Sequence, residues 1–287
     1  MAQTSTTGNL ENAQKIIIAA SRYTEEHNAP AMALIESFTL GKGEKQVTVP
    51  KVAQMTMSDL VDGQDIIDEE DIGMTTVDLT ASEVGAKVIL TDKLVKQSSD
   101  NVFSIVGRQL GDGMARKKDE DVVALYSGFS ADRGTAGSGM TLANLSAVIA
   151  YAKGNKFGSQ VYINHHPFTV WDLANTAVTA STNYPVPKGW TEDLLGNFFS
   201  GLRPINGVPV FEDGNISINS STDDAVGVIA DKSALAVLKS VDTRTERERD
   251  ASLRATELVI TADYGVFELD DSKGAALTFD ASTPATS

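Results

Sequence analysis

The 287-residue sequence contains no cysteine. Disulfide bonds, thiolate metal sites and cysteine nucleophiles are therefore excluded. Packing alone must hold the fold, so the chain can fold in a reducing compartment. Histidine is also scarce: there are three, and none has the HxxxH spacing that brings two imidazoles to one helix face. We therefore expect no metal site and no cofactor.

Long hydrophobic runs are absent as well. No run approaches the roughly 18 apolar residues that a membrane span requires. The N-terminal patch IIIAA is too short for the core of a signal peptide and has no basic segment before it. The sequence thus predicts no membrane partner.

The sequence also has few positively charged residues. The chain has 24 Lys and Arg against 39 Asp and Glu, a formal net charge of −15. So acidic a chain binds nucleic acid poorly, because that affinity rests on neutralising phosphates. The other interpretation of the charge is solubility. Composition is otherwise ordinary, with 41% hydrophobic and 22% charged residues, and the length suits one large or two modest domains.

The sequence also lacks the common catalytic motifs. GKGEK, from Gly41, does not fit a phosphate loop, and TAGSGM does not fit the GxSxG nucleophile elbow. His165 and His166 are adjacent, so on a strand they point to opposite faces; they are expected to cap the following helix or to meet solvent. No carboxylate pair stands out for acid–base work. These observations favour a protein that is not an enzyme.

What is present begins with small, polar or extended parts. Residues 1–9 are typical of a flexible arm, and helices are expected over residues 10–26 and 31–38. A strand follows over residues 47–51, where Pro50 indicates an edge or a bulge. Two further strands are expected around a turn at Ala81 and Ser82.

An acidic run over residues 59–71 separates these strands. It contains seven acids and no base, without the spacing of a calcium loop. Such a segment cannot form its own core, so it must lie against the rest of the chain, a neighbouring molecule or solvent. The candidate contact residues between subunits are Asp59, Asp62, Asp65, Asp68, Glu69, Glu70 and Asp71.

A long helix is predicted over residues 98–127, capped by one of residues 98–100. Gly107, Gly111 and Gly113 interrupt it, and each interior glycine costs about 0.5–1 kcal/mol relative to alanine. Two explanations stay open, a bending point or the close approach of another backbone. The charged residues 116–121 are expected to stay in solvent or to pair with nearby charges.

Beyond the glycine-rich stretch 127–139 the pattern becomes α/β. It predicts a helix from Thr141 to Gly154, a strand at QVYIN, a helix opened by Pro167, a strand after the Asn206–Gly207 turn, a strand at AVGVIA and a helix at KSALAVLKS capped by Asp231. The charge run RTERERD is typical of a solvated helix face and could also form salt bridges between subunits. Its candidate contact residues are Arg244, Arg247 and Arg249, and a strand follows at ELVITADYGVFEL.

The order of these elements resembles the major capsid proteins of tailed phages, the Hong Kong 97-type fold. The passage MTTVDLTASEVGAKVILTDKLVKQSSDNVFSIVGRQLGDGMARKKDEDVVAL resembles the family's extended loop, peripheral-domain strand and spine helix. VYINHHPFTVWDLAN is similar to its axial-domain strand and helix, and LRPINGVPVFEDGNI to the strand at its glycine–x–proline–valine turn, here residues 207–210. AVGVIADKSALAVL and ELVITADYGVFEL resemble the return into the peripheral domain.

The resemblance implies an α+β Hong Kong 97-type fold with four parts, one of which is built from two ranges of the chain. These are an N-terminal arm with short helices (1–43), an extended loop (44–80), a peripheral domain (81–139 and 241–287) that includes the spine helix (98–127), and an axial domain (140–240). Spine helices in this family bend between precursor and expanded shells, which makes the three glycines candidate bending residues.

The function implied is that of a shell subunit. Copies would form pentamers and hexamers of an icosahedral head that encloses double-stranded DNA without sequence-specific binding. The implied partners are a portal, a separate scaffolding protein, since the chain opens directly with the arm, and, as a further candidate, a decoration protein. The implied location is the virion, after assembly in the host cytoplasm. Two alternatives remain at this point, an encapsulin-like nanocompartment shell and a soluble hydrolase with an unrecognised site.

Overall fold

The computed structural model describes residues 30–52, 59, 62, 73–97, 102–179 and 207–284. The expected arm and first helix, the cap at residues 98–100 and most of the acidic run lie outside the described residues. What is described is a mixed helix and strand fold with three sheets.

The elements follow in chain order. The helices are α1 (Ala31–Leu34), α2 (Asp92–Gln97), α3 (Val102–Ala124), α4 (Leu142–Gly154) and α5 (Pro167–Thr179). The strands are β1 (Glu36–Thr39), β2 (Val47–Val52), β3 (Met74–Leu79), β4 (Ser82–Thr91), β5 (Val161–His165), β6 (Val210–Glu212), β7 (Asp224–Asp231), β8 (Leu235–Asp250), β9 (Ala255–Glu268) and β10 (Gly274–Asp280).

The first sheet has the order β1-β8-β9-β4. Strands β8 and β9 form a long antiparallel hairpin whose register runs from Leu235 opposite Glu268 to Asp250 opposite Ala255. Strand β1 pairs in parallel with the buried start of β8, and β4 pairs antiparallel with β9. Helix α3 lies on this sheet, where Met114 joins a small apolar cluster with residues of β9.

The second sheet has the order β10-β7-β5-β6. Its central strands β5 and β7 are almost continuously buried because both of their faces are covered. Helices α4 and α5 pack on this sheet, and their apolar residues share one core cluster with β5, β7 and β10. A second core cluster connects α1, the end of α3, β7 and β8, so the two sheets share one interior.

Several elements expected from the sequence are confirmed. The hydroxyl of Thr141 accepts a hydrogen bond from the backbone N–H of Asn144 and begins α4, and Pro167 is the first residue of α5. Gly207 has φ +85°, the left-handed conformation that a turn before β6 requires. Strands β3 and β4 flank the expected turn, and the spine helix is present as α3 followed by a 3₁₀ turn at Leu125–Gly128.

Two helix predictions are wrong. The segment expected as a helix after Asp231 is a 3₁₀ turn (Lys232–Ala234) followed by strand β8, and the charge run RTERERD continues that strand. Residues 235–238 are completely buried, with β1 on one side and β9 on the other, and such a short apolar run has no period that separates strand from helix. The helix expected over residues 31–38 ends at Leu34, because the chain then pairs with β8 as β1.

Candidate assembly interface

The spine helix α3 is anchored at one end. Met114, Val122 and Val123 on its C-terminal half are buried, and Tyr126 in the following 3₁₀ turn is completely buried. None of the side chains described between residues 103 and 113 is buried. The N-terminal half therefore rests on the β8–β9 hairpin through half-buried contacts, which cost less to break than core packing.

The three glycines lie in this loosely held half. A Cβ built on Gly107, Gly111 or Gly113 meets no described atom within 4 Å outside its own turn of helix. The idea that glycine makes room for another backbone thus finds no support within the described part of one subunit. The role of these glycines as bending residues stays a prediction.

The charged middle of α3 separates into two groups. Lys117 lies 2.5 Å from Asp121, and Arg116 lies 3.7 Å from Glu120, so these four form i,i+4 pairs as expected. Asp119 departs from the expectation of solvation, because it is completely buried.

The three candidate arginines of β8 have partners within the chain. Arg249 forms a two-pronged ion pair with Asp92, and the guanidinium of Arg247 lies 4.4 Å from the ring centre of Phe103. Arg244 contacts only a near neighbour on its own strand among the ion pairs described, with Nη2 3.2 Å from Glu246 Oε1. Its side chain is 62% exposed, so Arg244 is the arginine of the three that a neighbouring subunit can reach most readily.

The β2–β3 hairpin carries the acidic run. Asp59 and Asp62 are exposed, and the other five candidate acids lie outside the described residues. At the end of the hairpin that leads into this run, Val52 pairs with Met74, and these residues are 56% and 63% exposed. Lys51 of β2 lies 2.5 Å from Asp270, so the hairpin also contacts its own subunit, and Val52 and Met74 are apolar residues that it leaves in solvent.

A buried polar cluster lies beneath the C-terminal half of α3. Asp119 and Asp213, which follows β6, are completely buried, and Asn215 donates a hydrogen bond to each of them. Asp119 Oδ1 accepts from the backbone N–H of Ala31 at 3.0 Å, and its Oδ2 accepts from Asn215 Nδ2 at 2.9 Å. Asp213 Oδ1 accepts from the Asn215 backbone N–H at 2.9 Å, and its Oδ2 from Asn164 Nδ2 at 3.3 Å. The cluster links α1, α3, β5 and the end of β6.

Burial and the neighbouring carboxyl of Asp213 raise the pKa of Asp119 to about 7. The hydrogen bonds from Asn215 and Ala31 act in the opposite direction because they stabilise the ionised form. Asn164 also donates to Tyr126 Oη at 2.9 Å, while its own Oδ1 has no described partner.

Sequence reasoning missed this cluster because Asp119 lies in the charged run RKKDED. A signal was available in the spacing. Asp119 precedes Val122, Val123 and Tyr126 by three, four and seven residues, so it lies on the buried face of the helix. An acid on an apolar face must be hydrogen-bonded or protonated.

The two histidines do not meet solvent, which corrects one of the two expectations for them. Both are buried, and His166 Nδ1 accepts from the backbone N–H of Phe168 at 3.2 Å, which confirms the helix cap. His165 Nδ1 accepts from the His166 backbone N–H at 2.8 Å, so Nε2 carries the proton that reaches Leu277 O at 3.0 Å. The ring also packs against Gly227, where a Cβ would approach it to 2.2 Å.

Within the described residues, no group of three or more His, Cys, Asp or Glu side chains is arranged to hold a metal ion. In the same part of the chain, no helix is long and apolar enough to cross a bilayer. These surfaces can contact other protein subunits. They are the exposed end of the β2–β3 hairpin, the loosely packed N-terminal half of α3 and the exposed side chain of Arg244.

The fold is similar to that of solved chains from phages and from a GTA particle. The acid-stable capsid of Helicobacter pylori bacteriophage KHP30 matches with a TM-score of 0.70 and 14% identity, covering 88% of this chain and 89% of that one. The capsid of a native GTA particle matches with a TM-score of 0.67 and 12% identity over 90% and 92% of the two chains. Microbacterium phage Oxtober96 matches with a TM-score of 0.64 and 14% identity over 96% and 100%. The expected Hong Kong 97-type fold is thereby confirmed.

The sequence itself matches a family model described as phage capsid protein over residues 75–277. No curated protein sequence matches the chain. The chain belongs to the phage capsid protein family. It is a major capsid protein, a structural subunit that builds the head shell of the virion from repeated copies of itself.

Proposed function

We propose that copies of this chain assemble into pentamers and hexamers of an icosahedral head that encloses double-stranded DNA. The observation that carries the proposal is the exposed β2–β3 hairpin, whose end leaves Val52 and Met74 in solvent. A hairpin with so little of its own core gains stability when it lies across a neighbouring subunit.

The sheets suggest how the subunit divides. We propose that the first sheet with α3 forms the peripheral domain and that the second sheet with α4 and α5 forms the axial domain, since each sheet has its own strands and packed helices. The boundaries expected from the sequence stay predictions. Sheet membership favours placing residues 235–240 with the peripheral domain and β10 with the axial domain.

The net charge of −15 supports a wall that holds DNA without binding it. An acidic surface repels phosphate, so packaged DNA can move along the wall while the head fills. The absence of cysteine suits assembly in the reducing host cytoplasm. A portal, a separate scaffolding protein and a decoration protein are the proposed partners, and we propose no enzymatic activity.

Expression of the chain alone and together with its proposed scaffolding protein, followed by electron microscopy, tests the proposal. We expect closed shells with five-fold and six-fold clusters. Shells that enclose an enzyme in place of DNA in their native host would favour a nanocompartment.

A further inference from the structure

The buried Asp119 and Asp213 carboxyls are bridged by Asn215, which donates a hydrogen bond to each. Two ionised carboxylates held this close in a buried site repel each other. Among the described residues, no lysine or arginine forms an ion pair with either group, and the donors around Asp119 and Asp213 come from neutral amides. A single proton on the pair removes this repulsion and leaves one negative charge, which those amides stabilise.

No neighbouring group replaces this proton with a positive charge. Tyr126 faces the pair from the turn after α3, and burial raises its pKa, so it stays neutral. His166 faces Asp213 from the turn before α5, and burial lowers its pKa although Asp213 acts in the opposite direction. Tyr162 on β5 is neutral for the same reason as Tyr126, and α1 contributes only the backbone N–H of Ala31. Glu212 on β6 is a further acid, so it adds no positive charge.

The position of the pair means that its protonation affects how α3 and α1 are held to the second sheet. Asp119 lies at the anchored end of α3, and Asp213 lies where β6 leaves the second sheet. Their contact therefore connects the helix of the first sheet to the edge of the second, and Ala31 brings α1 to the same point. When both carboxyls ionise, repulsion in a buried site acts on this connection.

We propose that Asp119 and Asp213 form a proton-dependent joint that holds α3 and α1 to the second sheet. The joint is closed while the two carboxyls share one proton, and it is weakened when both are ionised. This device does not depend on the proposed arrangement of pentamers and hexamers.

The sign of the pH effect follows from the direction of the pKa shift. The pKa of Asp119 is raised from 3.8 to about 7, so between these values the folded state binds more protons than the unfolded state. Stability from this pair is therefore full at low pH and falls as the pH rises from about 4 to about 7. Above that range the effect is constant.

Other buried groups titrate in the same window, so the joint must be isolated by comparison. Burial lowers the pKa of His165 to about 4, which makes stability rise with pH up to about 6.5 and opposes the effect of the pair. The informative quantity is the difference in melting temperature between a variant and the natural chain at each pH.

The test uses thermal unfolding of the full-length protein from pH 4.5 to 8.5, with Asp119→Asn and Asp213→Asn as separate variants. The amide of Asp119→Asn cannot ionise, so this variant should lose the downward trend of the natural chain. Asp213→Asn removes the neighbouring charge but leaves Asp119 buried, so it should reduce the trend. We expect the difference in melting temperature to change by about 5 °C across this range. An amide oxygen replaces two carboxyl oxygens, so a constant offset is expected and only the slope is compared. Glu120→Gln, which changes the adjacent exposed acid, should keep the natural slope.

Infrared spectroscopy gives a second measurement that needs only one folded variant. At pH 6 the natural protein should show the carbonyl band of a protonated carboxyl that is lost in Asp119→Asn. Equal pH slopes in the natural chain and a folded variant, or the absence of this difference band, would overturn the proposal.

Discussion

Arg249, at the far end of β8, donates two hydrogen bonds to the carboxylate of Asp92, the first residue of α2, with Nη2 2.7 Å from Oδ2. The hydrogen bonds from Arg249 hold the pKa of Asp92 below its usual value, and the same pair raises the pKa of Arg249. The pair joins the tip of the long hairpin to the end of β4. Arg249 is thus engaged within its own subunit, while Arg244 remains exposed to neighbours.

Substitution of Arg244 should therefore separate assembly from folding. We expect Arg244→Ala to slow shell assembly, with the melting temperature of the unassembled subunit unchanged, because its side chain is largely in solvent. Light scattering follows assembly, and its rate in the natural chain should fall as salt rises. Arg249→Ala is the matched control, which should loosen the hairpin tip and raise hydrogen exchange at residues 250–255. Equal assembly rates for Arg244→Ala and the natural chain would remove Arg244 from the interface.

Replacing two of the glycines of α3 should raise the stability of the subunit but slow the expansion of the shell. Gly111→Ala with Gly113→Ala should stabilise the subunit by about 1–2 kcal/mol, since alanine favours helix and the new methyl groups meet open space. The same pair should slow the expansion of precursor shells, measured by cryo-electron microscopy over time. Gln109→Ala, an exposed change in the same helix, is the control for helix propensity alone. Normal expansion in the double variant would show that α3 does not bend there, and packing against a neighbouring subunit would then explain the glycines better.

His165 predicts a loss of stability in acid. Burial, with a smaller contribution from His166, lowers its pKa to about 4, so protonation of the unfolded chain below pH 6.5 favours unfolding. This contribution is complete above about pH 6.5 and is lost as the pH falls to about 4, by up to roughly 3 kcal/mol. Denaturant unfolding of His165→Gln should show a flatter pH profile in this range and lower stability at pH 7. An unchanged profile would mean that His165 is not neutral in the folded state.

Close packing at the same ring gives an independent check. Gly227→Ala should destabilise the subunit, because its Cβ would lie 2.2 Å from the His165 ring and 2.6 Å from the carbonyl oxygen of Asn164. Overpacking of this kind costs about 1–3 kcal/mol. Thermal unfolding measures the effect. Gly137→Ala would be a poor control, because the φ of +70° at this position would strain the backbone of any other residue. Gly154→Ala is the suitable control, because nothing lies within 4 Å of its new methyl group.

Deletion of residues 59–71 tests the acidic run. We expect the subunit to keep its melting temperature, because Asp59 and Asp62 are exposed and the β2–β3 ladder ends at Val52 and Met74 before the run begins. Assembly should be impaired, since the deleted segment is proposed to lie on a neighbouring subunit. Loss of cooperative unfolding in the deleted chain would show instead that the run belongs to the core.

Local signals predicted much of the fold. Thr141 and Pro167 placed two helix starts, and the alternation around Ala81 placed β3 and β4, because caps, turns and period-two patterns act over a few residues. The start of β8 could not be read in this way. Residues 235–238 are apolar on both faces, and only their pairing with β1 and β9 makes them a strand.

The candidate interface could likewise be predicted only in part. Local sequence patterns identified the glycines of α3 and Arg244 as candidates. They could not identify the partners of Arg247 and Arg249, because these are tertiary contacts with Phe103 and Asp92. The carboxyl pair depends on a contact between residues 94 positions apart, which no periodicity within one element can indicate. Only the spacing of Asp119 on its helix pointed to burial.

Cryo-electron microscopy of particles formed by the full-length chain, with the proposed scaffolding protein where it is needed, tests the central claim most directly. We expect a closed icosahedral shell in which every subunit has this fold and the β2–β3 hairpin of each lies across a neighbour. Soluble monomers or small rings under all assembly conditions, or a shell in which Val52 and Met74 at the end of that hairpin contact no neighbouring subunit, would contradict it.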